Sequence, residues 1–71
     1  MRAFNIIHSA TGAFAGCIAA GGYPIAARTF IHANYPDYTL TRILHDEDRP
    51  GCYVIVARDE AHELQFRMVE V

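Results

Sequence analysis

"GAFAGCIAAGGYP", residues 12–24, decides how this chain folds. It holds four of the five glycines and one of the two cysteines. Four readings compete: a lipoprotein cleavage box, a phosphate-binding loop, a membrane helix with a Gly-x-x-x-Gly face, and a strand turning into a helix. "FAGC" (Phe14 to Cys17) has the form of a lipoprotein box, with Arg2 as a basic leader. Asn5, His8, Ser9 and Thr11, however, interrupt the apolar run that an export signal needs. The same four residues break the stretch of about 20 apolar residues needed to span a bilayer. Gly16-x-x-x-x-Gly21 is followed by Gly22 and Tyr23, so it lacks the lysine and the metal-binding hydroxyl of a phosphate loop. What remains is a strand, a glycine break and a helix.

Working outward, "RAFNIIH" (residues 2–8) sets Phe4 and Ile6 on one side with Asn5 on the other, which predicts a strand. "SATG" (residues 9–12) supplies turn chemistry, so residues 13–20 fold back as its hairpin partner. Pro24 suits a first helical turn, where its missing N–H costs nothing. Tyr23, Ala26, Ala27, Phe30 and Ile31 recur at helical spacing and define one apolar stripe. Asn34 and Pro36 end the helix after about three turns. Three more strands follow at 38–45, 52–58 and 62–71, the last with Leu64, Phe66 and Met68 alternating with Gln65 and Arg67. Asp46–Gly51 and Asp59–Ala61 are their hairpin loops. The expected fold is α+β: a single domain, residues 1–71, in the order ββαβββ, with a five-stranded antiparallel sheet and one helix packed on one face.

Seventy-one residues are near the lower limit for a self-sufficient core. The 52% hydrophobic content is high for so short a chain and points to surface covered by a protein partner or a second copy. Net charge is −2, with six arginines and no lysine. Without a basic surplus, direct nucleic-acid binding is not expected, and neither is a membrane partner. Cys17 and Cys52 could form a disulfide only if the fold brings their Cα atoms within about 7 Å, and two cysteines without an export signal fit a reducing cytoplasm better. No cofactor is expected.

A helix of about a dozen residues is roughly 18 Å long and covers only one side of a five-stranded sheet. Yet "YVIVA" (residues 53–57) is apolar on both faces, and Ile7, Cys17 and Ile43 oppose, in their own strands, positions that also look buried. An uncovered face bearing Ile, Val and Tyr predicts a protein-binding surface. The bland alternative is that loops and long side chains close it over. The candidate contact residues are the strand arginines Arg42, Arg58 and Arg67 with Tyr53, and the acidic loop Asp46, Glu47 and Asp48. Partners are therefore expected through the open sheet face or the acidic loops.

Two rival functions stand beside this one. His45 and Cys52 should face each other at the mouth of the hairpin closed by Asp46–Gly51, with Asp46 adjacent. A Cys–His pair makes an activated thiolate, and the same cluster with His62 offers zinc ligands. No glycine-lined oxyanion pocket and no tightly spaced ligand pair accompanies them, so the chain is expected not to be an enzyme. His8 and His32 are isolated on ordinary strand and helix positions. The second rival is a purely structural homodimer.

The run "CIAAGGYPIAARTFIHANYPDYTLTRIL" (residues 17–44) passes from a strand through an alanine-rich helix to a strand ending in Arg-Ile-hydrophobic. With its flanking strands it resembles, in layout and over most of the chain, the small phage-encoded anti-CRISPR proteins built as a five-stranded sheet with one helix. That resemblance implies a phage or mobile-element inhibitor in a bacterial cytoplasm, acting without catalysis by occupying surfaces of a CRISPR effector complex. Some members of that group make contact through lysines, which this chain lacks, so no functional residue carries over.

Overall fold

Strands form where side chains alternate, and the one helix forms where they recur at helical spacing. The elements are β1 (Arg2–His8), β2 (Phe14–Ala20), α1 (Tyr23–Asn34), β3 (Thr39–His45), β4 (Cys52–Arg58) and β5 (Glu63–Glu70). They come from a computed structural model that describes residues 1–71. The strands make one antiparallel sheet in the order β2-β1-β5-β4-β3, so the fold is α+β with the expected element order. The last strand is central: β5 joins the β1–β2 hairpin to the β3–β4 hairpin, while α1 carries the chain from one sheet edge to the other.

Local chemistry fixes both ends of α1. Gly22 caps it in an extended conformation and Pro24 occupies its first turn, where no N–H donor is missed. At the far end the Asn34 amide donates to the Phe30 carbonyl at 3.0 Å, and the Tyr35 N–H donates to the Ile31 carbonyl at 2.8 Å. Pro36 follows, and it disfavours helical geometry at the residue before it. The stripe Ala26, Ala27, Phe30 and Ile31 is buried as its spacing predicts. The two alanines let the helix approach the sheet closely, and Phe30 meets Phe66 edge-on at 5.1 Å. Twelve buried residues form one core between helix and sheet, including Phe4, Ile6, Ile55, Phe66 and Met68. Full burial of a side chain such as Phe66 stabilises by about 2–3 kcal/mol.

Two bulges decide which way the edge strands face. In β2, Gly16 opposes Ile6 and Phe14 opposes Ile7, so Ala15 is the extra residue. In β3, Leu40 opposes Ala57 and Arg42 opposes Val56, leaving Thr41 extra, with its hydroxyl donating to the Val56 carbonyl at 3.1 Å. Each bulge shifts the alternation by one residue. As a result Leu40, Ile43 and His45 point toward the helix while Arg42 and Leu44 point away, and Phe14 joins Ile7 on the helix-free side. Both cysteines are free: Cys17 on β2 and Cys52 on β4, with two strands between them. No helix is long and apolar enough to cross a membrane.

Candidate interaction face

Side chains directly opposite on neighbouring strands share a face. Reading the pairings across the sheet gives a row on the helix-free side: Phe14, Ile7, Arg67, Val54, Leu44, one residue from each strand. A second row, Cys17, Asn5, Val69 and Cys52, lies beside it. On its other side stand Gln65, Val56 and Arg42, then Glu63, Arg58 and Thr39. The helix packs on the opposite surface, since its buried residues share a core with Phe4, Ile6, Tyr53, Ile55, Phe66 and Met68. Of all buried residues only Val56, at 6% exposure, lies outside that core, on the helix-free side. Phe14 at 66% and Leu44 at 43% are exposed, and Ile7, Val54 and Val69 are half-buried. Each strand thus gives this face at least one apolar residue, set among Arg42, Arg58, Arg67, Glu63, Gln65 and Asn5.

All three predicted arginines stand on this face and all are exposed. Arg58 lies 3.9 Å from Glu63 across the β4–β5 ladder, an exposed pair of small energetic consequence. Arg42 and Arg67 make no ion pair or side-chain hydrogen bond within the chain.

Tyr53 requires correction. Expected on the open face beside the arginines, it opposes Met68 and His45 and therefore lies on the helix side at 7% exposure. There it stacks on Tyr23 (centroids 4.4 Å apart, 15° between planes) and meets the His45 ring edge-on at 4.9 Å. The acidic loop sits at the hairpin tip, on the rim rather than the face. The Asp46 carboxylate accepts the Asp48 N–H at 3.0 Å, closing its own turn, while Glu47 and Asp48 are exposed.

The expected Cys–His pair also requires correction. The hairpin registers one residue away from the arrangement that would join them: His45 opposes Tyr53, and the Asp46 N–H donates to the Cys52 carbonyl at 3.0 Å. A one-residue slip exchanges faces. His45 thus points to the helix side, with its Nε2 2.9 Å from the Tyr23 hydroxyl, and Cys52 points the other way. His62 belongs to the loop at the far end of β4, beside Asp59 at 3.6 Å. No three His, Cys, Asp or Glu side chains gather where they would hold a metal ion.

Two titrating groups depart from their ordinary values, both near that far end. The Ala61 and His62 backbone N–H groups, at 2.9 and 2.6 Å, hold the Asp59 carboxyl below its usual range. Desolvation, followed by the negative charge of Asp59, pushes the Tyr38 phenol up. Both belong to loop structure, not to the face.

The arginines, Ile7 and the apolar run of β4 are legible in the sequence as residues of the face; Phe14 and Leu44 are not singled out there. A bulge separates Phe14 from the regular alternation of β2. Gly16, at φ +157°, is the one sequence-visible sign of irregularity in β2. No family model matches this chain, and no curated protein or solved structure matches it significantly.

Proposed function

We propose that this domain is a non-catalytic binding module that acts by steric protein–protein contact through its helix-free sheet face. The row Phe14–Ile7–Arg67–Val54–Leu44 carries the reading, because it crosses the whole sheet and lies on the side away from α1. Apolar side chains left on an uncovered sheet face of a small domain favour an interaction site. A broad sheet surface suits a protein, whereas small molecules favour concave sites that enclose them. The layout resemblance extends the proposal to a phage or mobile-element inhibitor that blocks a bacterial defence complex such as CRISPR–Cas. A rigid face covering a partner's working surface would be its mechanism.

Affinity capture from a bacterial lysate, followed by rebinding of the purified partner, tests the reading. Three tagged proteins are compared: wild type, a Phe14→Asp/Leu44→Asp double variant, and Arg28→Glu on the exposed helix surface, each checked for folding by circular dichroism. Wild type and Arg28→Glu should retain the partner and the double variant should lose it. A partner held equally by the double variant, or lost with Arg28→Glu, overturns the assignment to this face.

A further inference from the structure

The charge of the helix-free face is opposite to that of the chain. Net charge is −2, yet this face carries Arg42, Arg58 and Arg67 against a single carboxylate, Glu63, which already faces Arg58. Arg67 stands on the middle strand, between Ile7 and Val54, without an acidic neighbour. Arg42 is likewise unpaired, next to Leu44 on an edge strand. Asp46, at the rim, has its carboxylate engaged with the Asp48 amide. Arginine at the centre of an apolar patch is the arrangement enriched at interface hot spots, where the guanidinium becomes desolvated and needs a fixed anion.

Building on the binding-module reading, we propose that the face seats an acidic protein surface, whose carboxylates pair with Arg67 and Arg42 and whose apolar side chains pack on Ile7, Val54 and Leu44. A planar guanidinium engages a carboxylate through two parallel hydrogen bonds, so these two arginines set the position of the partner while the apolar row excludes water. A second copy is a poorer occupant. Stacking two such faces sets three arginines against three arginines, with only one carboxylate on each side. Nucleic acid is poorer as well, because the acidic loops Asp46–Asp48 and Asp59–Glu60 flank the two ends of β4 and would repel a phosphate backbone.

The test is selection of a displayed random dodecapeptide library on the immobilised full chain, with an Arg42→Gln/Arg67→Gln double variant as comparison. Both substitutions are on exposed positions, and folding is checked by the amide spectrum. Selected peptides should carry Asp or Glu among aliphatic or aromatic residues. They should bind wild type roughly tenfold or more tightly than the variant, the effect of losing a charge-assisted hydrogen bond. They should also shift the amide signals of Ile7, Val54 and Leu44. Peptides that shift those signals but are neutral or basic, or that bind the variant equally, overturn the acidic assignment and leave the face a binding surface. Failure to select any peptide that maps to the face overturns both. A short DNA duplex that binds wild type and not the variant would assign the arginines to phosphate and overturn the proposal. So would a wild-type dimer that buries this face in sedimentation and solvent-protection measurements.

Discussion

Val54 and Ile55 are neighbours in β4 and chemically near-equivalent, yet they sit in different environments. Ile55 is fully buried under α1, whereas Val54 is half-buried on a face that the helix does not cover. The covered face gathers Phe4, Phe66, Met68 and a stacked tyrosine pair into one core, while the other arranges comparable apolar residues around exposed arginines. Hydrophobicity alone does not separate the two. What separates them is the guanidinium on the central strand, which a closed core would not tolerate without a partner.

The largest test of this difference pairs one residue from each side. Phe66→Ala opens a cavity under the helix and should cost about 3–5 kcal/mol in urea unfolding. Leu44→Ala removes a side chain from the helix-free face and should cost less than about 1 kcal/mol, as for exposed positions generally. Equal losses would mean that the second face is closed in the isolated domain.

Sheet register assigns residues to sides, and here the sequence was partly legible. Helical spacing located α1 and alternation located β1 and β5, because those periods follow from backbone geometry, whereas β2 follows from the turn before it and the glycine break after it. The side taken by each edge residue was not legible. Simple alternation in "TLTRILH" puts Leu40, Arg42 and Leu44 on one face, but the bulge at Thr41 sends Leu40 to the core and the other two away from it. Tyr53 stands five residues from Arg58 in a strand without a bulge, so alternation alone puts the two on opposite faces; His45 departs from its expected partner Cys52 for a different reason. The position of the turn inside "DEDRPG" sets which residues pair, and one residue of difference reverses every side chain. Gly51, at φ +82°, helps fix that turn, and its N-terminal neighbour Pro50 has no N–H for a ladder. Gly51→Ala should cost about 1–2 kcal/mol, because a Cβ is strained in the left-handed region. The β3–β4 amide signals should shift most. An unchanged stability would mean that the register does not depend on this glycine.

A smaller effect sharpens the boundary of the covered side. The Tyr23 hydroxyl meets His45 Nε2 at 2.9 Å at an exposed edge of the core, so it joins the start of α1 to the end of β3. Tyr23→Phe keeps the stacked ring over Tyr53 and removes only this contact. The expected loss is about 0.5–1.5 kcal/mol. A loss as large as that of Phe66→Ala would show that the hydroxyl, and not the ring stack, holds the helix start in place.

The smallest effect lies outside both faces, in the turn that sets how β5 enters the sheet and hence where Arg67 lies. The Asp59 carboxylate accepts the Ala61 N–H first and the His62 N–H second, and these bonds depress its folded-state pKa below the ordinary value of 3.8. A depressed carboxyl contributes stability that is fully present above the unfolded-state pKa. That contribution is lost as pH falls through the unfolded value toward the folded one. Asp59→Asn keeps an acceptor oxygen but removes the charge. The variant should therefore unfold at a lower urea concentration than wild type at pH 7, and the gap should narrow once pH drops below about 4. A gap that stays constant on acidification would mean that the ionised form gains nothing from the two amides. The turn would then be set by shape alone, and the position of β5 would owe nothing to this charge.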